Sequence, residues 1–197
     1  MTRFQRRDAS TIAAATKTII RPTAMKNRLM PAALYIIMGV IALLTLASAI
    51  GATAAPLPKE IRADEAKLIW QVHAVGLQIY ECKADAAGRL TWQFREPLAT
   101  LISEGKTVGR HFAGPGWEFN DGSRIKGKVV AQAPGASDKD IPVLRLDVIQ
   151  HDGSGDLSKV DTVQRLDTKG GIYTGACDKT GDLHSEPYSA DYVFLTR

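Results

Sequence analysis

Through the C-terminal part of the chain, apolar positions recur with period two rather than 3.6. Leu90, Trp92 and Phe94 alternate with Thr91, Gln93 and Arg95, and Leu144, Leu146 and Val148 alternate with Arg145, Asp147 and Ile149. Ile125, Gly127 and Val129 alternate with Lys126 and Lys128. Tyr188, Ala190, Tyr192 and Phe194 alternate with Ser189, Asp191, Val193 and Leu195, a run apolar enough on its second face for burial on both sides. Successive side chains of a strand point to opposite faces, so each run predicts a strand with one surface turned to a core. In residues 72–82 the alternation changes phase at Val75-Gly76. That predicts a β-bulge allowing Val72 and Ala74 to share a face with Leu77 and Ile79.

Turn chemistry separates these runs at short intervals: Ala87-Gly88, Glu104-Gly105, Asn120-Asp121-Gly122-Ser123, Pro134-Gly135, Asp152-Gly153-Ser154-Gly155 and Lys169-Gly170-Gly171. Strands punctuated this way predict a single all-β domain, mainly antiparallel, closed as a sandwich or a barrel. Only two stretches read as helical, residues 59–68 after Pro58 and residues 157–164 after Asp156, and each is short enough to be one turn. Residues 131–140 form the most loop-like excursion.

The N-terminal part is different. Residues 25–28 are basic, residues 32–46 are continuously apolar, and residues 47–55 are small, which is the order of a secretory signal peptide. Ala52-Thr53-Ala54 and Ala47-Ser48-Ala49 both satisfy the small-x-small rule for cleavage. The alternative is an uncut anchor, since residues 32–51 are uncharged and long enough for a leader helix to cross a bilayer. The organisation that follows is an extension over 1–24, a signal peptide or anchor over 25–54, and an exported domain over 55–197, periplasmic or secreted.

This division changes what the charge means. The whole chain has a formal charge of +4, yet residues 1–54 hold seven basic residues and one acid, leaving 18 basic against 20 acidic residues in 55–197. The domain itself is slightly acidic, so nucleic acid is excluded as a partner suggested by charge. Contact with a membrane is expected only through the N-terminal segment, if it is retained.

Both cysteines, Cys82 and Cys177, follow the leader, and there is no C-x-x-C. In an oxidising compartment a lone pair of thiols reads as a disulfide, with a free reactive thiol as the alternative. Such a bridge closes a loop of about 95 residues.

The ordered blocks Gly76-Leu77-Gln78-Ile79-Tyr80-Glu81-Cys82, residues 109–118 (GRHFAGPGWE) and Asp121-Gly122-Ser123 are similar to a secreted bacterial and fungal family catalogued as domain of unknown function 3455. Ile141-Pro142-Val143-Leu144, Gly153-Ser154-Gly155, Val163-Gln164-Arg165, residues 168–171 (TKGG), Cys177 and residues 188–192 (YSADY) continue the pattern in order. The resemblance covers nearly all of residues 65–195. It departs where the family usually has Trp after the Ile-Pro pair, a position held here by Val143. It implies an exported β-rich domain and supplies no activity and no cofactor.

The residues offer few chemical motifs. His73, His111, His151 and His184 include no pair at ligand spacing, although separate strands can gather a metal site. Asp152-Gly153-Ser154-Gly155-Asp156 begins like a calcium loop, but Leu157 stands where Gly is needed and Val163 where a bidentate Glu is needed. Ser154 lacks the Gly-x-Ser-x-Gly setting of a hydrolase elbow, and Gly170-Gly171 lacks the following helix of a phosphate cradle. Of the aromatic residues, Trp117 in Gly-Pro-Gly-Trp is the one expected to face a cleft, beside His111 and Glu118. Arg165 is expected to pair with an internal carboxylate such as Asp191 or Glu118, or to meet a ligand carboxylate in its place. The expected function is binding of a small ligand or envelope partner, or a structural envelope role, through His111, Trp117, Glu118 and Arg165. The alternative is an extracytoplasmic metalloenzyme in which His111 joins His151 or His184.

Overall fold

A computed structural model describes residues 56–197. The extension, the leader or anchor and the apolar helix expected there lie outside the described residues. Eight strands follow one another: β1 (Lys67–Ala84), β2 (Leu90–Ser103), β3 (Lys106–Phe112), β4 (Gly116–Phe119), β5 (Arg124–Ala133), β6 (Val143–Asp152), β7 (Thr162–Gly170) and β8 (Leu183–Thr196). Each pairs antiparallel with its neighbour, and β8 returns to pair with β1, so the sheet is a closed barrel. Closure leaves no edge strand to be capped.

The period-two runs fall where they are expected, in β2, β5, β6 and β8. In β8, Tyr188, Ala190, Tyr192 and Phe194 turn inward and are buried, while Ser189, Asp191 and Val193 on the outer face are half-buried. The helical stretches reduce to turns. Residues 59–66 make only a turn before β1 begins at Lys67, and a 3₁₀ turn spans Asp156–Lys159 before Thr162 opens β7.

The expected bulge at Val75-Gly76 is not there. The pairing of β1 with β2 runs unbroken through Val75 and Gly76, and the extra residue is Arg95 of β2, opposite Ile79 and Tyr80. Val72, Ala74, Gln78 and Tyr80 therefore keep one inward phase, and Leu77 and Ile79 lie on the other face. Gly76 serves a different purpose. A Cβ at that position would collide with the backbone of Leu98 and Ala99, so the bare backbone lets β1 and β2 approach closely as they coil.

The interior is filled at one end only. Near the start of β1, Leu101, Phe119, Ile125, Leu146, Val163 and Phe194 form the core, closed from beneath by Leu157 and Val160 of the 3₁₀ turn and its exit. Edge-on contacts link Trp70 to Phe119 at 5.6 Å and Phe119 to Phe194 at 5.5 Å between ring centroids, a geometry aromatic pairs favour. Outside the wall, residues 58–66 lie across β6 and β7. Ile61 is fully buried there, Gln164 Nε2 donates to the Ile61 carbonyl at 2.6 Å, and Arg145 Nη1 donates to the Arg62 carbonyl at 2.7 Å.

At the opposite end, Cys82 and Cys177 are joined by a disulfide. It ties the long connection between β7 and β8 to the last turns of β1. Backbone bonds from Cys82 N to Asp182 O and from Trp92 N to Gly175 O, at 2.9 and 3.1 Å, hold the same connection beside β1 and β2. A bridge of this kind points to an oxidising, extracytoplasmic environment.

Candidate functional site

The unfilled end of the barrel encloses a cavity of about 610 Å³, the scale of small-molecule sites. Its wall comes from the parts of the strands farthest from the plug: Gln78 and Tyr80 of β1, Trp92, Phe94 and Pro97 of β2, His111 of β3, Val129 and Gln132 of β5, Leu144 of β6 and Arg165 of β7. Arg95 of β2, Gly114 and Pro115 of the β3–β4 turn, Ile141 and Pro142 before β6, and Ile172, Tyr173 and Thr174 of the disulfide-tied connection complete it. The wall is mainly hydrocarbon and aromatic ring. Strand alternation supplies it, since every second residue of a barrel strand faces the interior.

Around the mouth the aromatic residues are mutually packed. Tyr173 stacks on His184 at 3.6 Å between centroids, Trp92 leans on both rings, and Tyr80 meets Phe94 edge-on at 5.9 Å. Phe94 itself is 54% exposed, unusual for a phenylalanine and consistent with a rim that is open to solvent. The Tyr80 hydroxyl donates to the Gly171 carbonyl at 2.6 Å, pinning the connection to the wall.

His111 and Arg165 both line this cavity. His111 is 3% exposed. Its Nδ1 lies 2.8 Å from the Gly116 carbonyl, which can only accept, so Nδ1 carries the hydrogen and Nε2 is left as an acceptor. Burial, with the nearby positive charge of Arg165 adding to it, pushes the imidazole pKa down to about 3, and the ring is neutral at physiological pH. Arg165 does not form the expected ion pair. Its Nε and Nη2 donate to the Pro142 carbonyl at 3.1 and 2.9 Å. Asp191 lies on the outer face of β8, 2.7 Å from His73 Nδ1, because it alternates with inward Ala190 and Tyr192. Glu118 is held by Arg110 and Arg124.

Neither Trp117 nor Glu118 lines this cavity, and Trp117 does not face a cleft as expected. Trp117 is 1% exposed and belongs to the core, where it stacks on His111 with centroids 4.8 Å apart and meets Tyr192 and Phe194 edge-on. It supports the cavity from behind His111 and does not line it. Glu118, the next residue of the same strand, must point the other way. There its Oε2 accepts from Arg110 and Arg124, each at 2.8 Å, and these bonds hold its carboxyl below the usual range.

The histidines do not gather. His151 is at the far end of β6, bonded to the Val160 carbonyl at 2.8 Å, and His184 Nε2 faces Glu186 at 2.9 Å. Among the described residues no three His, Cys, Asp or Glu side chains converge on a point where a metal ion could sit. The five-residue stretch from Asp152 to Asp156 is a turn whose Asp156 backbone N–H donates to Asp121 Oδ2 at 2.7 Å.

Gln78 is a wall residue that the sequence reading did not single out, and behind it lie Tyr188 and Tyr192; the three are 2%, 4% and 1% exposed. Gln78, Tyr188, Tyr192 and Arg165 neighbour one another in that order, and Gln78 Nε2 and both hydroxyls are fully buried. Burial first of all raises the pKa of both tyrosines, so the hydroxyls keep their hydrogens. One signal was present: Gln78 is a lone amide in the inward phase that runs through Val72, Ala74 and Tyr80, and a buried amide demands partners.

Residues 62–196 match the family described as "Protein of unknown function (DUF3455)". No curated protein and no solved structure matched the chain.

Proposed function

Since the chain belongs to the DUF3455 family, whose function is unknown, the geometry has to supply the reading, and we propose that the barrel is a binding module for a small, largely apolar molecule. The observation that carries this is the unequal filling of the barrel. One end is packed with Leu101, Phe119, Ile125, Leu146 and Phe194, and the other keeps about 610 Å³ behind an aromatic rim. A hydrophobic cavity of that size at a barrel mouth is a place where burying a ligand's apolar surface yields about 25 cal/mol per Å². Residues 25–54 serve as the export signal or anchor of this reading, residues 55–197 as the exported domain, and the disulfide fits such a compartment. An envelope component is then the natural source of the ligand.

The test is titration of the purified, disulfide-intact protein with the neutral apolar fluorophore N-phenyl-1-naphthylamine. Saturable binding at one site per chain is expected. Val129→Trp fills the mouth and abolishes it, while Val75→Trp, on the outer face of β1, leaves it intact. Absence of saturable binding, or equal loss in both variants, sinks the reading.

A further inference from the structure

The cavity's one inward cation has no counter-charge. Arg165 stands opposite Tyr192 in the β7–β8 ladder and opposite Leu144 in the β6–β7 ladder, so its side chain enters the barrel at the level where the packed core gives way to the cavity. The guanidinium is anchored, since Nε and Nη2 share the Pro142 carbonyl, but that carbonyl carries no charge. Of its five N–H groups, three remain at the Nη1–Nη2 end. Among the described residues no carboxylate pairs with Arg165: Glu186 faces His184, and Glu81 and Glu96 face Arg95 and Lys83. Half-buried guanidinium without an anion is costly unless something else supplies one.

The polar groups beside it carry no charge. Gln78 lines the cavity, and its amide neighbours the buried hydroxyls of Tyr188 and Tyr192 in a row that ends at Arg165. An anchored guanidinium with no counter-charge, set in a mainly apolar wall, specifies a negatively charged oxygen group.

Resting on the reading of the cavity as an apolar ligand site, we infer that its ligand is an amphipathic monocarboxylate that enters head first, its carboxylate on Arg165 and its apolar body against Leu144, Val129 and Phe94. A planar guanidinium and a carboxylate match as a two-pronged pair. The second cation of the wall, Arg95, is 46% exposed at the rim and already bridged to Glu81 and Glu96. The head-first orientation therefore separates Arg165 from Arg95.

Displacement of N-phenyl-1-naphthylamine from the purified protein at neutral pH tests this, with decanoate, decan-1-ol and decyltrimethylammonium as competitors below their aggregation limits. A second pair, 2-naphthoate and 2-naphthol, asks whether the body is a chain or a ring. The carboxylate of a pair is expected to displace the probe at about tenfold to a hundredfold lower concentration than its alcohol, the range of charge-assisted hydrogen bonds. The quaternary amine should be weakest. Arg165→Met should erase the preference while the neutral probe still binds, and Arg95→Met should keep it. Should Arg165→Met fail to fold, the ¹³C carboxyl resonance of labelled decanoate decides, since a carboxylate on Arg165 titrates well below its free value. Equal displacement by acid and alcohol, a preference lost with Arg95 instead, or an unshifted carboxyl titration overturns the inference and leaves the apolar site standing. Failure of the neutral probe itself to bind overturns both.

Discussion

Acidification from pH 7 to pH 5 should destabilise the barrel by about 2 kcal/mol through His111 alone. In the unfolded chain this imidazole has its ordinary pKa of 6.5, and in the barrel burial beside Trp117 and Tyr192 holds it at about 3. The folded value is the lower one, so between the two the unfolded state binds the extra proton. The contribution of the neutral ring is complete above pH 6.5 and is lost as the pH falls toward 3. At pH 5 the unfolded imidazole is about 97% protonated and the folded one almost not at all, which gives RT ln(1 + 10^1.5), or about 2 kcal/mol. Over the full window the loss approaches about 4–5 kcal/mol at roughly 1.4 kcal/mol per pH unit, comparable with a domain's whole stability. The assay is urea unfolding followed by tryptophan fluorescence at pH 7, 6 and 5, disulfide intact, for the native protein and His111→Asn. Asparagine offers an amide N–H to the Gly116 carbonyl in place of Nδ1 and does not titrate. Comparing the two pH slopes cancels His73, His151 and His184, which both proteins share. The native protein should lose about 2 kcal/mol more than the variant between pH 7 and 5. Identical slopes at equal m-values would refute the buried neutral imidazole.

Gly76→Ala should destabilise the barrel by more than the roughly 1–3 kcal/mol of ordinary overpacking, because the new methyl meets the backbone of Leu98 and Ala99 instead of a side chain that can move; thermal melts by circular dichroism measure it, and a melting point within a degree or two of the native one would show that the strands can separate freely. Reducing Cys82–Cys177 should cost up to about 4–5 kcal/mol in the chain-entropy model. It should also weaken probe binding below the melt, since Ile172 and Tyr173 of the tied connection line the cavity; unchanged affinity in the reduced, folded protein would detach the bridge from the site. Glu118→Gln, on the outer face with Arg110 and Arg124, should leave probe affinity within about twofold of native, and a loss matching that of Val129→Trp would return Glu118 to the site.

What the sequence determines here is local alternation and chemistry. Strand after strand, the period of two marks which residues share a face, and two cysteines behind a stretch that reads as an export signal imply their own bridge. His111 and Arg165 stand out in the sequence, one before Gly-Pro-Gly-Trp and the other as a cation in mid-strand, and both line the cavity. The phase of Gln78 was equally open to reading, and it was obscured by the glycine beside it: Gly76 looks like a kink when only β1 is considered, and it proves to be a close approach once β2 is laid against it.

Tertiary structure decided the rest. Alternation says that Trp117 and Glu118 point to opposite sides of β4, but which side is the interior depends on closing eight strands into a ring. Only that closure puts Trp117 behind His111 and Glu118 outside with two arginines. It also separates Arg165 from Asp191: they lie on adjacent strands one register step apart, and the pleat sends one side chain into the barrel and the other into solvent. The empty half of the barrel is likewise a property of no single strand. Cavity volume is set by how far facing side chains fall short of one another across the axis, a distance between residues remote in sequence that local pattern does not encode.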